Sequence, residues 1–473
     1  MMNKRIYFLG IPFFALSLWA QEPLEAGLTE QVEAIAASIK EHPQTAAEGF
    51  DNLLKGKNKK NVSLLVAIGD AYLTAGNIQE AGRYAQRAAD VDNKAPQVYL
   101  LQGDIALAEN DPGTACGNYE QAILFDENCK EAYYKYAHAY AGVNPQLSVD
   151  MLLKLKARFP EELQTDRELA NVYYQMGDYS RAKTAFDTFM QAGKPEVQDY
   201  GRYAMLLYLN KDYRESMDMV EKGLSMDTQY HLLKPLKMYD LYELKAYEEA
   251  LKASQEFLDQ KEGSFVYLDY VYQGRICEAL KQTEPAVAAF KQALAADTQG
   301  EHPEIWKEMS GAYESAQNYP QAVEAFQHYA DCLNGKMEVS DLFLLGRLYY
   351  LSASATEDMA QKTAALTKAD EIFAQVAQRV PTNYLGNFWR ARVNSLLDPE
   401  TSQGLAKPYY EAALALLSQQ PQASQSLMIE CESYLGYYYF LQKDYEQSKE
   451  HWRNILKLDP EHAAAKQALE GMK

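Results

Sequence analysis

The sequence predicts an all-α fold: a right-handed α-solenoid of about eleven helical hairpins, closed by capping helices at both ends. Three observations predict it. A small residue or methionine recurs at Gly69, Gly103, Ala137, Ala170, Ala204, Met238, Gly274, Ser310, Gly346, Ala391 and Gly436. The intervals are 34, 34, 33, 34, 34, 36, 36, 36, 45 and 45 residues, a period typical of stacked helical pairs, none of which buries its apolar face alone. Between these markers a turn also repeats, as Gly177-Asp178-Tyr179, Lys211-Asp212-Tyr213, Lys245-Ala246-Tyr247, Gln317-Asn318-Tyr319 and Lys443-Asp444-Tyr445.

The elements follow in chain order. Lys4 and Arg5 precede an apolar run from Ile6 to Ala20, followed by Gln21, Glu22 and Pro23. A basic start, a short apolar stretch and a small residue at the cut describe a signal peptide over residues 1–20, cleaved after about Ala20. Leu18 meets the small-residue preference before the cut only halfway. The fifteen-residue run contains Gly10 and Pro12 and is shorter than the ~20 residues that span a bilayer. The expected location is therefore exported, periplasmic or secreted, with no stable membrane insertion. No cysteine near the cut offers a lipid attachment site.

Residues 28–60 have helical periodicity (Val32, Ile35, Ile39, then Ala47, Phe50, Leu54) without the full repeat, and read as a degenerate N-terminal capping hairpin. The array proper is expected over 62–460. With each marker residue placed at position 8, position 11 carries Tyr72, Ala106, Tyr140, Tyr173, Leu207, Leu241, Cys277, Tyr313, Tyr349, Asn394 and Tyr439. Position 20 of the first eight hairpins carries Ala81, Ala115, Val149, Ala182, Ser216, Ala250, Ala286 and Ala322. Position 24 is often large: Tyr119, Leu153, Phe186, Phe290, Phe326 and Trp452. Antiparallel helices approach to ~8–10 Å only where small side chains meet at the crossing. Positions 8 and 20 supply those, and 11 and 24 fill the gaps beside them. At the turn, Gly, Asn or Asp stops one helix and caps the next, with the tyrosine stapled onto the second helix. Pro96, Pro160, Pro303, Pro381 and Pro460 separate hairpins. Insertions fall near 352–366, which is Ala-rich and helical in character, and near 397–408, which reads as a loop. Residues 461–473 read as a closing helix that shields the last hairpin. No linker divides the array.

These residues resemble the tetratricopeptide-repeat (TPR) family, whose pattern asks for an aromatic at 4, Gly at 8, Tyr at 11, Ala at 20, Phe at 24 and Pro at 32. The hairpin at Ser310 has Trp306, Tyr313, Ala322 and Phe326; the hairpin at Gly436 has Tyr439, Trp452 and Pro460, with Ser448 at position 20. The variant unit from Trp389 to Tyr410 is similar to exported TPR proteins of Bacteroidota. The resemblance implies a concave face lined by positions 2, 5, 9 and 12 of each first helix. The residues expected to bind a partner there are Tyr134, Arg167, Asn171, Tyr174, Tyr208, Tyr242, Arg275, Arg347, Tyr350 and Arg392. His138, Tyr437 and Phe440 fall on the same stripe. Tyr and Arg dominate binding hot spots, although repeat packing alone also uses many of the 36 tyrosines. Arg167 and Asn171 partly match the family's carboxylate clamp, with Arg202 where an Asn is expected. The position-9 arginines place specificity from Gly274 onward.

Composition narrows the partner. The net charge is −20, and removal of Lys4 and Arg5 with the leader takes it to −22. That charge disfavours nucleic acid and anionic lipid and suits the solubility of a surface-rich chain. Five cysteines cannot all pair and show no C-x-x-C spacing. Cys116 and Cys129 lie within reach across one hairpin, but free buried thiols are the expectation. The seven histidines have no metal-ligand spacing, and no nucleophile elbow or phosphate loop occurs. Acid pairs such as Glu161-Glu162 and Glu248-Glu249 fall at helix starts, where the helix dipole favours them. The expectation is a non-enzymatic protein-interaction scaffold without cofactor or metal, binding a peptide or protein of the cell envelope. The alternative is a glycan- or nutrient-uptake partner of an outer-membrane transporter.

Overall fold

The structure, a computed structural model, describes residues 24–260, 265–420 and 422–472; the expected signal peptide and its cut lie outside the described residues. Among these residues the regular structure is 25 α-helices and one short 3₁₀ turn, Gly56–Lys60. The all-α hairpin architecture expected from the period is therefore present.

The chain divides into two compact units, up to Leu233 and from Lys234, at a boundary with no linker. In the first unit, α1 (Ala26–Ala36) and α2 (Pro43–Leu53) precede five hairpins: α3/α4 (Val62–Thr74, Ile78–Val91), α5/α6 (Pro96–Ala108, Pro112–Phe125), α7/α8 (Lys130–Ala141, Pro145–Arg158), α9/α10 (Leu163–Gln175, Tyr179–Ala192) and α11/α12 (Val197–Leu209, Tyr213–Met226). In the second, α13/α14 (Leu233–Glu243, Tyr247–Leu258), α15/α16 (Tyr267–Ala279, Thr283–Ala296), α17/α18 (Glu304–Ser315, Tyr319–Cys332), α19/α20 (Val339–Ala355, Met359–Arg379), α21/α22 (Tyr384–Leu397, Lys407–Leu417) and α23/α24 (Gln425–Leu441, Tyr445–Leu458) follow, and α25 (Ala463–Gly471) packs on α24.

All eleven position-8 residues are buried. The reason is steric. A methyl group added at Gly103 would lie 2.3 Å from Tyr119 Cε1, at Gly274 2.6 Å from Phe290 Cε1, and at Gly436 2.8 Å from Trp452 Cε2. In each case the position-24 ring of the second helix lies against the first helix, so the aromatic and the glycine specify one another. The hydroxyls found at positions 8 and 20 are satisfied across the same crossing. Ser216 Oγ donates to the Ala204 carbonyl at 2.9 Å, Ser310 Oγ to Ala322 at 2.6 Å and Ser448 Oγ to Gly436 at 2.7 Å.

The turns are nearly uniform. The position-16 N–H donates to the position-11 carbonyl, as in Asp178 to Tyr173 and Asp212 to Leu207, both 2.9 Å. This closure holds position 15 at positive φ, including at Lys211 (68°), Lys245 (63°) and Lys281 (58°). Among the hairpins without an insertion, the third is the exception. Its turn is one residue shorter and closes from Asn144 N–H to the Tyr140 carbonyl at 2.8 Å. Every later position in that hairpin shifts by one, so Ser148 rather than Val149 bonds the Ala137 carbonyl. Leu152 is fully buried and Leu153 is exposed, which corrects the assignment of Leu153 to the core and accounts for the single 33-residue interval. The turn tyrosine also packs differently from the expectation. It returns onto position 12 of the first helix, with ring centroids 5.7 Å apart for Tyr174–Tyr179, Tyr208–Tyr213 and Tyr242–Tyr247.

The two insertions take different forms. The first lengthens α19 and α20 to 17 and 21 residues, placing Ala369 and Phe373 in the buried roles of positions 20 and 24. The second is a loop closed on one side chain. The buried Asp398 carboxylate accepts N–H groups of Ser402, Gln403 and Gly404 at 3.1, 3.0 and 2.8 Å. The five cysteines are free; Cys116, Cys277 and Cys431 are buried, Cys129 is half-buried, and Cys332 is exposed.

Candidate interaction surface

The expected partner-binding residues stand on first helices in both units, and Tyr134, Arg167, Tyr242, Arg275, Arg347, Tyr350 and Arg392 meet neighbours one repeat away. In the first unit the Tyr134 hydroxyl lies 3.1 Å from Thr165 Oγ1, and burial pushes its phenol pKa upward. Arg167 Nε donates to Asp199 Oδ1 at 2.5 Å. Asp199 is fully buried, and its other oxygen accepts the Glu196 N–H at 2.9 Å. Burial raises the Asp199 pKa, against the lowering pull of that N–H and of Arg167. Asn171 is half-buried beside them. His138 Nε2 lies 3.0 Å from Glu168 Oε2. Desolvation acts to lower the His138 pKa, but Glu168 more than offsets it and holds it above the usual value. Tyr174 and Tyr208 carry the turn tyrosines described above.

In the second unit Tyr242 stands edge-on to Tyr272 with centroids 5.4 Å apart. Arg275 grips Glu308 with two N–H groups, one at 2.7 Å, and lies over the Tyr272 ring. Burial works against its charge, and the Glu308 contact more than restores it. Arg347 Nη2 donates to Glu314 at 2.6 Å, and Tyr350 stands edge-on to Trp389 at 5.3 Å. Arg392 pairs bidentately with Glu430 at 2.8 and 2.7 Å and lies over Phe388 and Trp389.

The pattern is a ladder. A cation or tyrosine on one first helix meets an acid on the first helix of the adjacent repeat, so the arginines read as ligand hooks already hold intramolecular carboxylates. For Arg167 this occupies the clamp: its carboxylate is Asp199. A buried position-3 aspartate recurs at Asp199, Asp269 and Asp341, reached from the preceding hairpin by Arg167, by Tyr239 at 2.5 Å and by Lys307 at 2.5 Å. Sequence reading missed these acids. The position-3 aspartates did carry a periodic signal, whereas Glu308, Glu314 and Glu430, which hold Arg275, Arg347 and Arg392, lie 33, 33 and 38 residues from their partners at differing repeat positions. Sequence reading also missed a cavity of about 500 Å³ between α18, α19 and α20, lined by Ala330, Met337, Leu342, Leu345, Tyr349 and Ile372 among others.

Among the described residues no group of His, Cys, Asp or Glu could hold a metal ion, and no helix is long and apolar enough to cross a membrane. The tetratricopeptide-repeat family model matches residues 66–132 and 269–335, one segment in each unit; the chain carries tetratricopeptide repeats, modules of protein–protein interaction. No curated protein matches the chain. Among solved structures it is similar to the C-terminal part of a TPR repeat-containing protein from Cytophaga hutchinsonii, at 26% identity over 57% of this chain and 99% of that one, TM-score 0.49. A tetratricopeptide repeat protein from Parabacteroides merdae is 14% identical over 60% of this chain and 99% of that one, TM-score 0.30. YrrB, described as a TPR protein with an unusual peptide-binding site, is 13% identical over 40% of this chain and 96% of that one, TM-score 0.32.

Proposed function

We propose that this chain is an exported, non-enzymatic scaffold that holds a peptide segment of a cell-envelope protein along its first-helix face. The observation that carries the reading is the tyrosine pair at positions 12 and 17, presented in the same geometry by successive hairpins. Rigid aromatic rings that recur once per repeat offer an extended chain regularly spaced anchors of large contact area and low entropic cost. The arginines act differently from free hooks. Because each already holds an acid, an incoming carboxylate competes with that acid, and the arginines select rather than attract. Export rests on Lys4, Arg5 and the apolar run to Ala20.

The test is photo-crosslinking from position 174 or 208 in intact cells, followed by mass spectrometry of the adducts. The expected result is one envelope protein crosslinked from both positions and lost on Tyr179→Ala with Tyr213→Ala, at unchanged helical content. Adducts that are the same with and without those changes overturn the groove reading. Intact-mass measurement of the cellular chain tests export separately: a start near Gln21 supports it, and retention of Met1 or Met2 refutes it.

A further inference from the structure

The ninth hairpin lacks a ring that other hairpins place at position 4. Tyr99, Tyr133, Tyr200, Tyr270 and Trp306 hold that position in the second, third, fifth, seventh and eighth hairpins, whereas Leu342 holds it in the ninth. Two of these rings stack on the second helix of their own hairpin: Tyr99 on Phe125 and Trp306 on His328, with centroids 5.3 and 4.5 Å apart. His328 follows Phe326, at position 24, by two residues. In the ninth hairpin Phe373 has the buried role of position 24, so Gln375 is the counterpart of His328, as Leu342 is of Trp306. Leu342 and Gln375 both line the cavity of about 500 Å³ between α18, α19 and α20. The cavity therefore includes the place that a stacked ring pair fills one hairpin earlier.

Its walls define what would fill it. Ala330, Met337, Leu342, Leu345 and Ile372 give a buried apolar floor, whose atoms forgo dispersion contacts while the space is unfilled. The rim is exposed and polar, so the floor can be reached from solvent. Its charges balance: Asp331 and Glu371 against Lys368 and Arg379. Lys368 pairs with Glu371 at 2.8 Å, and Arg379 donates to the Met337 carbonyl at 2.7 Å. Such a rim exerts no net pull on an ion. Tyr349 is half-buried at the same cavity, and among the described residues its hydroxyl has no hydrogen-bond partner. Burial pushes its pKa upward, so the hydroxyl keeps its proton and remains a donor. A volume of this size, an apolar lining and a single directing polar group are the attributes of a small-molecule site.

We propose that this cavity binds an uncharged bicyclic aromatic molecule, seated on Leu342 and Leu345 in place of the missing ring, with an acceptor oxygen toward the Tyr349 hydroxyl. Leu342, Leu345 and Tyr349 stand at positions 4, 7 and 11, whereas the expected partner-binding stripe uses 2, 5, 9 and 12. The two sites therefore stand or fall separately.

Fluorescence titration of the purified full chain with prodan tests the proposal. Prodan is an uncharged naphthyl ketone whose emission reports polarity and hydrogen bonding. The expected result is saturable one-to-one binding with blue-shifted emission. Leu342→Trp supplies the repeat's own ring and should abolish that binding, while the thermal midpoint stays level or rises. Gln375→Trp closes the same space from the exposed rim, without entering the core, and should weaken binding at unchanged helical content. Tyr349→Phe should weaken it about two- to tenfold and shift the bound emission further to the blue. Absence of saturable binding to the unaltered chain overturns the proposal, as does binding that either tryptophan variant leaves undiminished. Binding and emission unchanged in Tyr349→Phe refute the part given to the hydroxyl.

Discussion

Replacing Arg167 by Met should destabilise the junction of the fourth and fifth hairpins, and the loss should grow with pH. Asp199 is fully buried and holds two donors, Arg167 Nε at 2.5 Å and the Glu196 N–H at 2.9 Å. Removing one member of a buried pair costs about 3–5 kcal/mol because the remaining charge is stranded. The Arg167 side chain keeps 19% of its exposure, so its pairing is partly screened and the lower end applies, roughly 3 kcal/mol at pH 8. The sign with pH follows from Asp199. Its folded pKa already lies above the unfolded value of 3.8, through burial, and loss of the guanidinium raises it further. Such a group contributes stability that is fully present below the unfolded pKa and lost as pH rises through the folded one. Towards pH 5 the stranded carboxyl moves towards its protonated form, and the loss should shrink. Asp199→Asn keeps an acceptor for the Glu196 N–H and should cost about 2 kcal/mol at both pH values. The double variant should cost less than the sum by about 2 kcal/mol. Hydrogen exchange of the α9 and α11 amides is the appropriate readout, since repeat arrays open locally. Additive losses, or an Arg167→Met deficit equal at pH 5 and pH 8, would refute the reasoning.

Gly103→Ala should cost about 1–3 kcal/mol by driving a methyl into Tyr119, whereas Gly82→Ala, where the added carbon meets nothing within 4 Å, should stabilise α4 by about 0.5–1 kcal/mol; thermal midpoints decide both. Lys211→Gly and Lys281→Gly each relieve a left-handed residue and should raise stability by about 0.5–1 kcal/mol in urea denaturation. His138 faces Glu168, with Lys135 and Arg167 as the nearby cations and Gln164 donating to the same carboxylate at 2.8 Å. The histidine's raised pKa gives stability that is present below about 6.5 and lost as pH rises through its folded value. The lowered Glu168 gives stability that is lost only as pH falls through its depressed value. His138→Gln should therefore remove an excess stability that wild type shows near pH 5–6 and loses as pH rises through the ring's folded value. Its size stays below about 1 kcal/mol because the ring is 46% exposed and the pair is screened. A variant curve parallel to wild type refutes this.

What could be read from the sequence divides by the range of the interaction. Position 8 was legible in all eleven hairpins because a close helix crossing tolerates only small side chains, apart from the flexible Met238. The insertion at 397–408 was legible as a loop, but not that Asp398 ties it. The third hairpin misled by one residue, since its turn is one residue shorter than the others and closes from Asn144 to Tyr140. Leu153 then took the place in the pattern that Leu152 occupies in the core. The partners of the stripe cations were illegible for a different reason. Arg275 meets an acid at position 6 of the next hairpin, Arg392 one at position 2, and Arg347 one at position 12 of the hairpin before it. No fixed spacing links them, so periodicity cannot find them.

On the proposed scaffold reading, that irregularity would govern how the surface selects a partner. Regular contacts at positions 8 and 20 make every hairpin alike. The paired cations make each junction different, because the acid that holds the cation approaches from a different place. A ligand carboxylate that displaces Glu308 from Arg275 must match a bidentate contact, whereas at Arg347 it competes with a single donor contact to Glu314 and meets a buried Nε with no hydrogen-bond partner. The second exchange costs less, since one bond is surrendered instead of two. Arg347 therefore holds its acid by fewer bonds than Arg275 does. Arg347→Lys, which keeps the charge but removes that Nε, should weaken capture of an acidic peptide while Arg275→Lys leaves it unchanged. Equal effects at the two sites would show that the ladder sets stability alone and takes no part in recognition.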